Sequence, residues 1–279
     1  MTIEGQVLSQ FAVVPPENLF HYTSIEGMEA ILSSCRIWAS DIHHMNDGSE
    51  LLHALEIIRE RLIFAHNRHS DSETERLLQT LIDQVDYLSS TPLYISCFSA
   101  KGDLLSQWRA YCPNEGGVSL GFDPQSLTFT DDLAIFQLSQ CVYDQTRKRE
   151  LTDRAIESFL IVSSASPNVT EEEKIIAFQS LALWFSPLLK HSAFEDEREW
   201  RITSPHPMPE ASVFGTHVPS DHPIRHYEYL LTKSDAPPKL DWVIVGTSAN
   251  QAANRGQIEL LLANLGLDPL VTESEVPLR

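Results

Sequence analysis

Leu19–Ser34 reads L-F-H-Y-T-S-I-E-G-M-E-A-I-L-S-S. Leu19 and Phe20 close a short apolar strand, and an amphipathic helix follows directly. Thr23 and Glu26 stand at capping-box spacing, which predicts a helix start at Thr23. Ile25, Met28, Ile31 and Leu32 then fall on one helical face. The junction places the His21 imidazole and the Tyr22 phenol at a strand end, beside a helix N-terminus. The free backbone donors and partial positive charge there suit an anionic ligand such as a phosphate. The plainer reading is that the two side chains fill the edge of the core.

Outward from this junction, strands and helices intersperse without regular βαβ units. Arg36–Ser40 reads as a strand, and D-I-H-H-M-N-D-G-S-E (41–50) as a polar turn. Leu51, Leu55, Ile58 and Leu62 mark one helix, and Leu77, Leu78, Leu81, Val85 and Leu88 a second. After Pro92, L-Y-I-S-C-F-S alternates in the manner of a strand. Asp103 is placed to cap the short helix D-L-L-S-Q-W-R-A-Y. Strands are expected at V-S-L-G-F-D and over 133–144, and helices over 146–164 and 170–186, the second ending near Pro187. E-W-R-I-T, S-V-F-G-T-H-V, I-R-H-Y-E-Y-L-L and L-D-W-V-I-V-G read as strands. A helix over 250–264, packing through Ile258, Leu261, Leu262 and Leu265, precedes a last strand, L-V-T-E-S. The pattern predicts an α+β fold with a mixed, mainly antiparallel sheet. A lead-in over 1–18 would precede one domain over 19–279, with helical insertions at 48–90 and 146–190.

The chain carries 20 basic and 39 acidic residues, a net charge of -19. Such a surface repels nucleic-acid backbones and anionic lipid, so a protein or small-molecule partner is expected over nucleic acid. Cys35, Cys97, Cys112 and Cys141 form no C-x-x-C pair, which argues against a zinc ribbon or a secreted disulfide scaffold. The N-terminus has no basic region followed by an apolar run. No apolar stretch approaches the ~20 residues that span a bilayer, so a cytoplasmic location is expected. Oligomeric state is not readable.

Four further clusters could carry chemistry. In E-D-E-R-E-W-R (195–201), a strand would put Glu197 and Glu199 on one side and Trp200 on the other. Two like charges on one face repel unless solvated or given a task; pairing with Arg198 and Arg201 in a solvated turn is the plainer reading. His43, Asp47 and Glu50 could form a metal site on one helical face. Alternatively, Asn46-Asp47-Gly48 is turn chemistry, with Asp47 as N-cap and Glu50 at N3. Trp108 and Tyr111 share a helical face with Leu104 or Leu105, either as core or as an aromatic wall with Arg109 nearby for a phosphate. His206, His217, His222 and His226 lack ligand spacing and read as loop histidines. The chain has no P-loop, no G-x-G-x-x-G after a strand, no H-E-x-x-H and no G-x-S-x-G.

Taken in order, these segments resemble a bacterial family known as domain-of-unknown-function family 2971. The matching pieces are F-H-Y-T-S, M-N-D-G-S-E, I-S-C-F-S, S-Q-W-R-A-Y and G-V-S-L-G-F-D. The K-x-x-x-F-x-x-E-x-E-W-R stretch from Lys190 to Arg201, W-V-I-V-G-T and S-E-V-P-L-R complete the set. Gly48 stands where members usually have Pro, and Leu278 where they tend to have an aromatic. The layout is similar to that of the ADP-ribosyltransferase superfamily, with His21, Ser40 and Glu199 at the positions of its strand-borne site residues. That likeness implies NAD as substrate and no metal. In NAD cleavage an oxocarbenium-like cation develops at the ribose, and a facing carboxylate stabilises it. The resemblance gives that role to Glu199, the orientation of an acceptor nucleophile to Glu197, and a ribose hydroxyl contact to His21. Tyr22, Trp38 or Tyr111 would stack on nicotinamide or adenine, and Arg109 would pair with the pyrophosphate. It implies an ADP-ribosyltransferase-like enzyme, of the kind that serves as a toxin or phage-defence effector. The rival readings are a non-catalytic ligand-binding or sensor module of the same fold, and a metal-dependent hydrolase built on His43, Asp47 and Glu50.

Overall fold

The computed structural model describes residues 13–45, 49–112, 116–127, 130–131, 134–135, 137–204, 214–217, 224–231 and 239–277. The sheet is built from β1 (Leu19–Ser24), β2 (Arg36–Asp41), β3 (Tyr94–Ser99), β4 (Gly117–Phe122), β7 (Gln137–Gln140), β8 (Glu199–Thr203), β9 (Phe214–His217), β10 (Ile224–Leu230), β11 (Leu240–Val245) and β12 (Leu270–Glu273). A separate small pair comprises β5 (Thr130–Asp131) and β6 (Ala134–Ile135). The main path runs β12-β11-β4-β1-β3-β2-β10-β9, with β8 on β3 and β7 on β8. The pairings are antiparallel except β11 with β12. The fold is α+β with a mixed, mainly antiparallel sheet.

The helices are α1 (Ile25–Ser34), α2 (Glu50–His66), α3 (Ser72–Gln84), α4 (Leu105–Tyr111), α5 (Gln145–Ser164), α6 (Glu171–Phe185) and α7 (Gln251–Asn264). Alternation along β3 divides them between two cores. Ile95 joins the cluster built by α2, α3, α5 and α6, where Ile58, Leu78, Phe159 and Phe178 are buried. Tyr94 and Phe98 join the other cluster, with Met28 and Leu32 of α1, Val243 of β11, and Ile258 and Leu262 of α7. Local signals set the helix starts. Asp71 and Asp144 accept first-turn amides of α3 and α5, and Thr170 with Glu173 forms a complete capping box on α6.

Four local expectations need correction. β1 continues through Thr23, which lies opposite Val118, so His21 sits inside the strand and not at its end. The cap of α1 is Ser24, whose hydroxyl accepts from the Gly27 amide. The segment 133–144 is not one strand: β7 stops at Gln140, and Val142 bridges to Leu189. Asp103 does not cap α4, whose N-cap is Leu104. Its carboxylate instead accepts from the Trp108 indole at 2.7 Å, the Ser274 hydroxyl at 2.6 Å and the Glu275 amide at 3.0 Å. Asp103 thereby ties the segment after β12 to Trp108, which meets Tyr22 edge-on at 4.8 Å between centroids. Asp103→Ala is expected to cost about 1–3 kcal/mol, because it orphans these donors. Urea unfolding and the near-ultraviolet signal of Trp108 check this.

Candidate functional site

The sheet forks at β3. One edge of β3 pairs with β8 over five residues, from Ile95 to Ser99. The opposite edge is shared: β1 meets it only at Ser99, and β2 only at Tyr94 and Ile95. Between these contacts side chains replace the ladder. The Ser96 hydroxyl donates to Trp38 O at 2.8 Å, and His21 Nδ1 lies 3.0 Å from Cys97 O. A carbonyl only accepts, so His21 carries its proton on Nδ1 and presents a lone pair at Nε2. Burial pulls the His21 pKa down, against the opposing bond to Cys97, so the ring is neutral near pH 7.

A cleft of about 560 Å³ opens at this fork. Its walls include His21, Tyr22, Trp38, Ser40, Cys97 and Tyr111, together with Ser24, Glu26 and Gly27 at the start of α1. Five of the residues singled out from sequence therefore share one cavity. Arg109 does not: it is exposed and is not part of the lining. Its helix turns Trp108 inward against Tyr22, while Tyr111 faces the cleft, so the two aromatics divide between core and wall. Trp38 is 45% exposed and stacks on His226, with ring centroids 4.0 Å apart and planes at 24°. His226 is thus a buried residue of β10 and not a loop histidine. His217 lies in β9, and His206 and His222 lie outside the described residues.

Glu197 and Glu199 do not line the cleft. Nor do they share a strand: Glu197 ends a 3-10 turn, Arg198 adopts a left-handed conformation with φ 47°, and β8 begins at Glu199. What brings the two carboxylates together is Lys190, whose ammonium lies 2.5 Å from each. Arg201 completes the cluster. It meets Glu199 Oε1 at 2.9 Å through Nε and Glu50 Oε2 at 2.7 Å through Nη2, and Nη1 donates to Pro187 O at 2.6 Å. Glu50 also lies 3.3 Å from Lys190. In this network Glu50, Lys190, Glu199 and Arg201 are each under one-tenth exposed at the side chain, and Glu197 is more open. Arg198 stands apart and pairs with Glu195, at 3.8 Å.

Burial pushes the Glu199 carboxyl up, but Arg201 and Lys190 outweigh it and hold its pKa down at about 2. Glu197 is pushed up by burial, only partly offset by Lys190. Burial and the neighbouring Glu199 hold the Cys97 thiol protonated. Cys97 and Tyr111 line the cleft, and both sense the charge of Glu199. Cys97 stands opposite Arg201 in the β3–β8 pairing, so the acid network adjoins this part of the lining. A further buried pair supports it: Lys148 Nζ donates to Lys190 O at 3.0 Å and to His53 Nε2 at 3.1 Å.

Residues 107–202 match a family model described as protein of unknown function (DUF2971). The DUF2971 match includes Tyr111, Lys190, Glu197, Glu199 and Arg201, and leaves His21, Trp38 and Ser40 outside it. No curated protein and no solved structure matches the chain.

Sequence reasoning assigns no site role to Lys190 or Arg201, although both lie in the quoted K-x-x-x-F-x-x-E-x-E-W-R stretch. It also misplaces Glu50. The N-cap of α2 is Ser49, whose side chain does not cap the helix, and Glu50 is the first helical residue, directed at Arg201 and Lys190. A buried guanidinium demands carboxylates more strongly than a helix end does. His43 is occupied elsewhere, with Nδ1 2.6 Å from Asp41 and Nε2 2.7 Å from Ser89 O. Asp47 lies outside the described residues, and no metal-binding cluster occurs among those described. No helix among the described residues is long and apolar enough to cross a membrane.

Proposed function

We propose that the cleft binds NAD and that the chain is an ADP-ribosyltransferase-like enzyme or NAD glycohydrolase. The observation that carries this reading is one cavity holding His21, Trp38, Ser40 and Tyr111, lined also by Cys97 of β3, which pairs with the strand that begins at Glu199. In the reaction the bond between ribose C1′ and the nicotinamide nitrogen breaks. Its electron pair leaves with nicotinamide, and positive charge develops on the ribose. An acceptor or water then bonds to C1′ and releases a proton. Nε2 of neutral His21 accepts a ribose hydroxyl, and Trp38 and Tyr111 offer faces for the nicotinamide or adenine ring. A carboxylate fixed in its ionised form opposes the developing cation without reorganising. Glu199 is held in that form. Glu197, 21% exposed at its side chain and outside the lining, is the network's outlet to solvent and orients an acceptor that approaches from that side. The acceptor is a protein or a small molecule, and the acidic chain disfavours nucleic acid. The process would be that of a cytoplasmic toxin or phage-defence effector.

Incubation with NAD is expected to release nicotinamide. Glu197→Gln and His21→Ala should each lower the rate by about tenfold, as for the loss of one orienting hydrogen bond, with thermal melts near wild type. No binding and no release with any acceptor tried would refute this reading. One observation favours a second reading, a non-catalytic binding module of the same fold. Both oxygens of Glu199 are engaged by Arg201 and Lys190. Saturable NAD binding without nicotinamide release would select that reading.

A further inference from the structure

We infer that the cleft selects a planar aromatic cation, such as an N-alkylated pyridinium, over neutral or anionic rings of the same shape. This rests on the reading of the cleft as a ligand site, though not on turnover.

The first support is the placement of positive charge. The chain has 20 lysines and arginines for 39 acids. Among the described residues lining the cleft the sole such cation is Arg36, and it faces Glu228 at 3.8 Å. Arg109, the sequence candidate for a pyrophosphate, is exposed outside the lining. Behind Cys97, Lys190 and Arg201 are already met by three carboxylates, those of Glu50, Glu197 and Glu199. The network thus has one acidic group more than it has basic ones. The anion-attracting feature of the lining is the N-terminus of α1. There the Gly27 amide is already taken by Ser24, and Glu26 stands in the first turn, offsetting the helix dipole.

The second support is the wall itself. Trp38 stacks nearly parallel on buried His226, which sets its ring plane, and Ser96 donates to its backbone carbonyl. A fixed indole face with the negative end of its quadrupole toward a cavity attracts a cation, and the low-dielectric walls strengthen the field of the acids behind them. The cleft volume of about 560 Å³ suits a ligand of one or two rings. For NAD this places the pyridinium inside and leaves the pyrophosphate toward solvent.

The test uses the full chain and three small probes of matched shape, followed by calorimetry or by NMR shifts of the Trp38 indole. N1-methylnicotinamide is a cation, nicotinamide is neutral and nicotinate is an anion. The cation is expected to bind at least about tenfold more tightly than nicotinamide, as for one cation–π contact in a negative field, and nicotinate most weakly. Trp38→Leu, at a half-exposed position, with its fold checked by thermal melting, should abolish the cation's advantage. Glu197→Gln should narrow it. Nicotinamide or nicotinate binding as tightly as the cation, or no binding of any of the three, would overturn the inference. Cation-selective binding with no nicotinamide release from NAD would leave it standing while removing the enzyme reading. Release from NAD without cation selectivity would do the reverse.

Discussion

Arg201→Met is expected to lower the free energy of unfolding by about 3–5 kcal/mol, the cost of breaking a buried ion pair from one side. Arg201 is 1% exposed and spans three partners, Glu199, Glu50 and the Pro187 carbonyl. Removing it leaves the carboxylates of Glu50 and Glu199 with Lys190 alone, in surroundings where an unmatched charge is poorly solvated. The double variant Arg201→Met with Glu199→Gln should be more stable than the sum of the single losses, because it removes charge of both signs. Urea unfolding of the four proteins gives the cycle. A loss below about 1 kcal/mol for Arg201→Met is what an exposed pair would give, and it would contradict the buried network. The outcome also bears on the cleft, since Arg201 lies opposite Cys97 across β3 and β8.

The second large effect is an acid sensitivity carried by Glu199. Its folded pKa, about 2, lies below the ordinary 4.5. A depressed carboxylate contributes stability that is present above its unfolded pKa and is lost as pH falls through the folded one. The window therefore runs from about 4.5 down to about 2, and the contribution at neutral pH is about 3 kcal/mol. Glu197 acts in the opposite sense. Its pKa is raised, so the folded state holds its proton more tightly and loses stability as pH rises above the usual carboxylate range. Wild type should accordingly be most stable on the acid side of neutrality and fall steeply below pH 4.5. The stability gap between wild type and Glu199→Gln should be widest at neutral pH and should close toward pH 2. A gap that does not change with pH would show that Glu199 titrates normally.

The elements are largely legible in the sequence, because burial imposes its period on a strand or helix wherever one face meets a core. Y-I-S-C-F-S alternates between the two clusters, and the apolar stripes of α2, α3 and α7 fall where the leucines and isoleucines place them. The start of α1 is harder to place. Thr23 and Ser24 are both competent caps, and pairing with Val118, far along the chain, holds Thr23 in the strand. Local spacing suggests capping roles for Asp103 and Glu50 because sequence shows only neighbours. Their actual partners, Ser274 and Arg201, are 171 and 151 residues away. The same limit hides the Trp38–His226 stack, which requires β2 and β10 to be adjacent. His21, Tyr22, Ser40 and Tyr111 can be nominated by residue type and order. The fork that gathers them depends on β1 and β2 sharing one edge of β3 while β8 takes the other, and no local pattern encodes that arrangement.

The most direct measurement is an NMR titration of the ¹⁵N-labelled chain with NAD, following the five tryptophan indole N–H signals, with that of Trp38 assigned from Trp38→Phe. The Trp38 signal, together with the backbone amides of His21 and Cys97, is expected to shift and saturate in step, while the signal of buried Trp184, which does not line the cleft, stays in place. Unmoved signals at Trp38, His21 and Cys97 under saturating NAD, or shifts confined to other surfaces, would contradict a ligand site at the fork of the sheet.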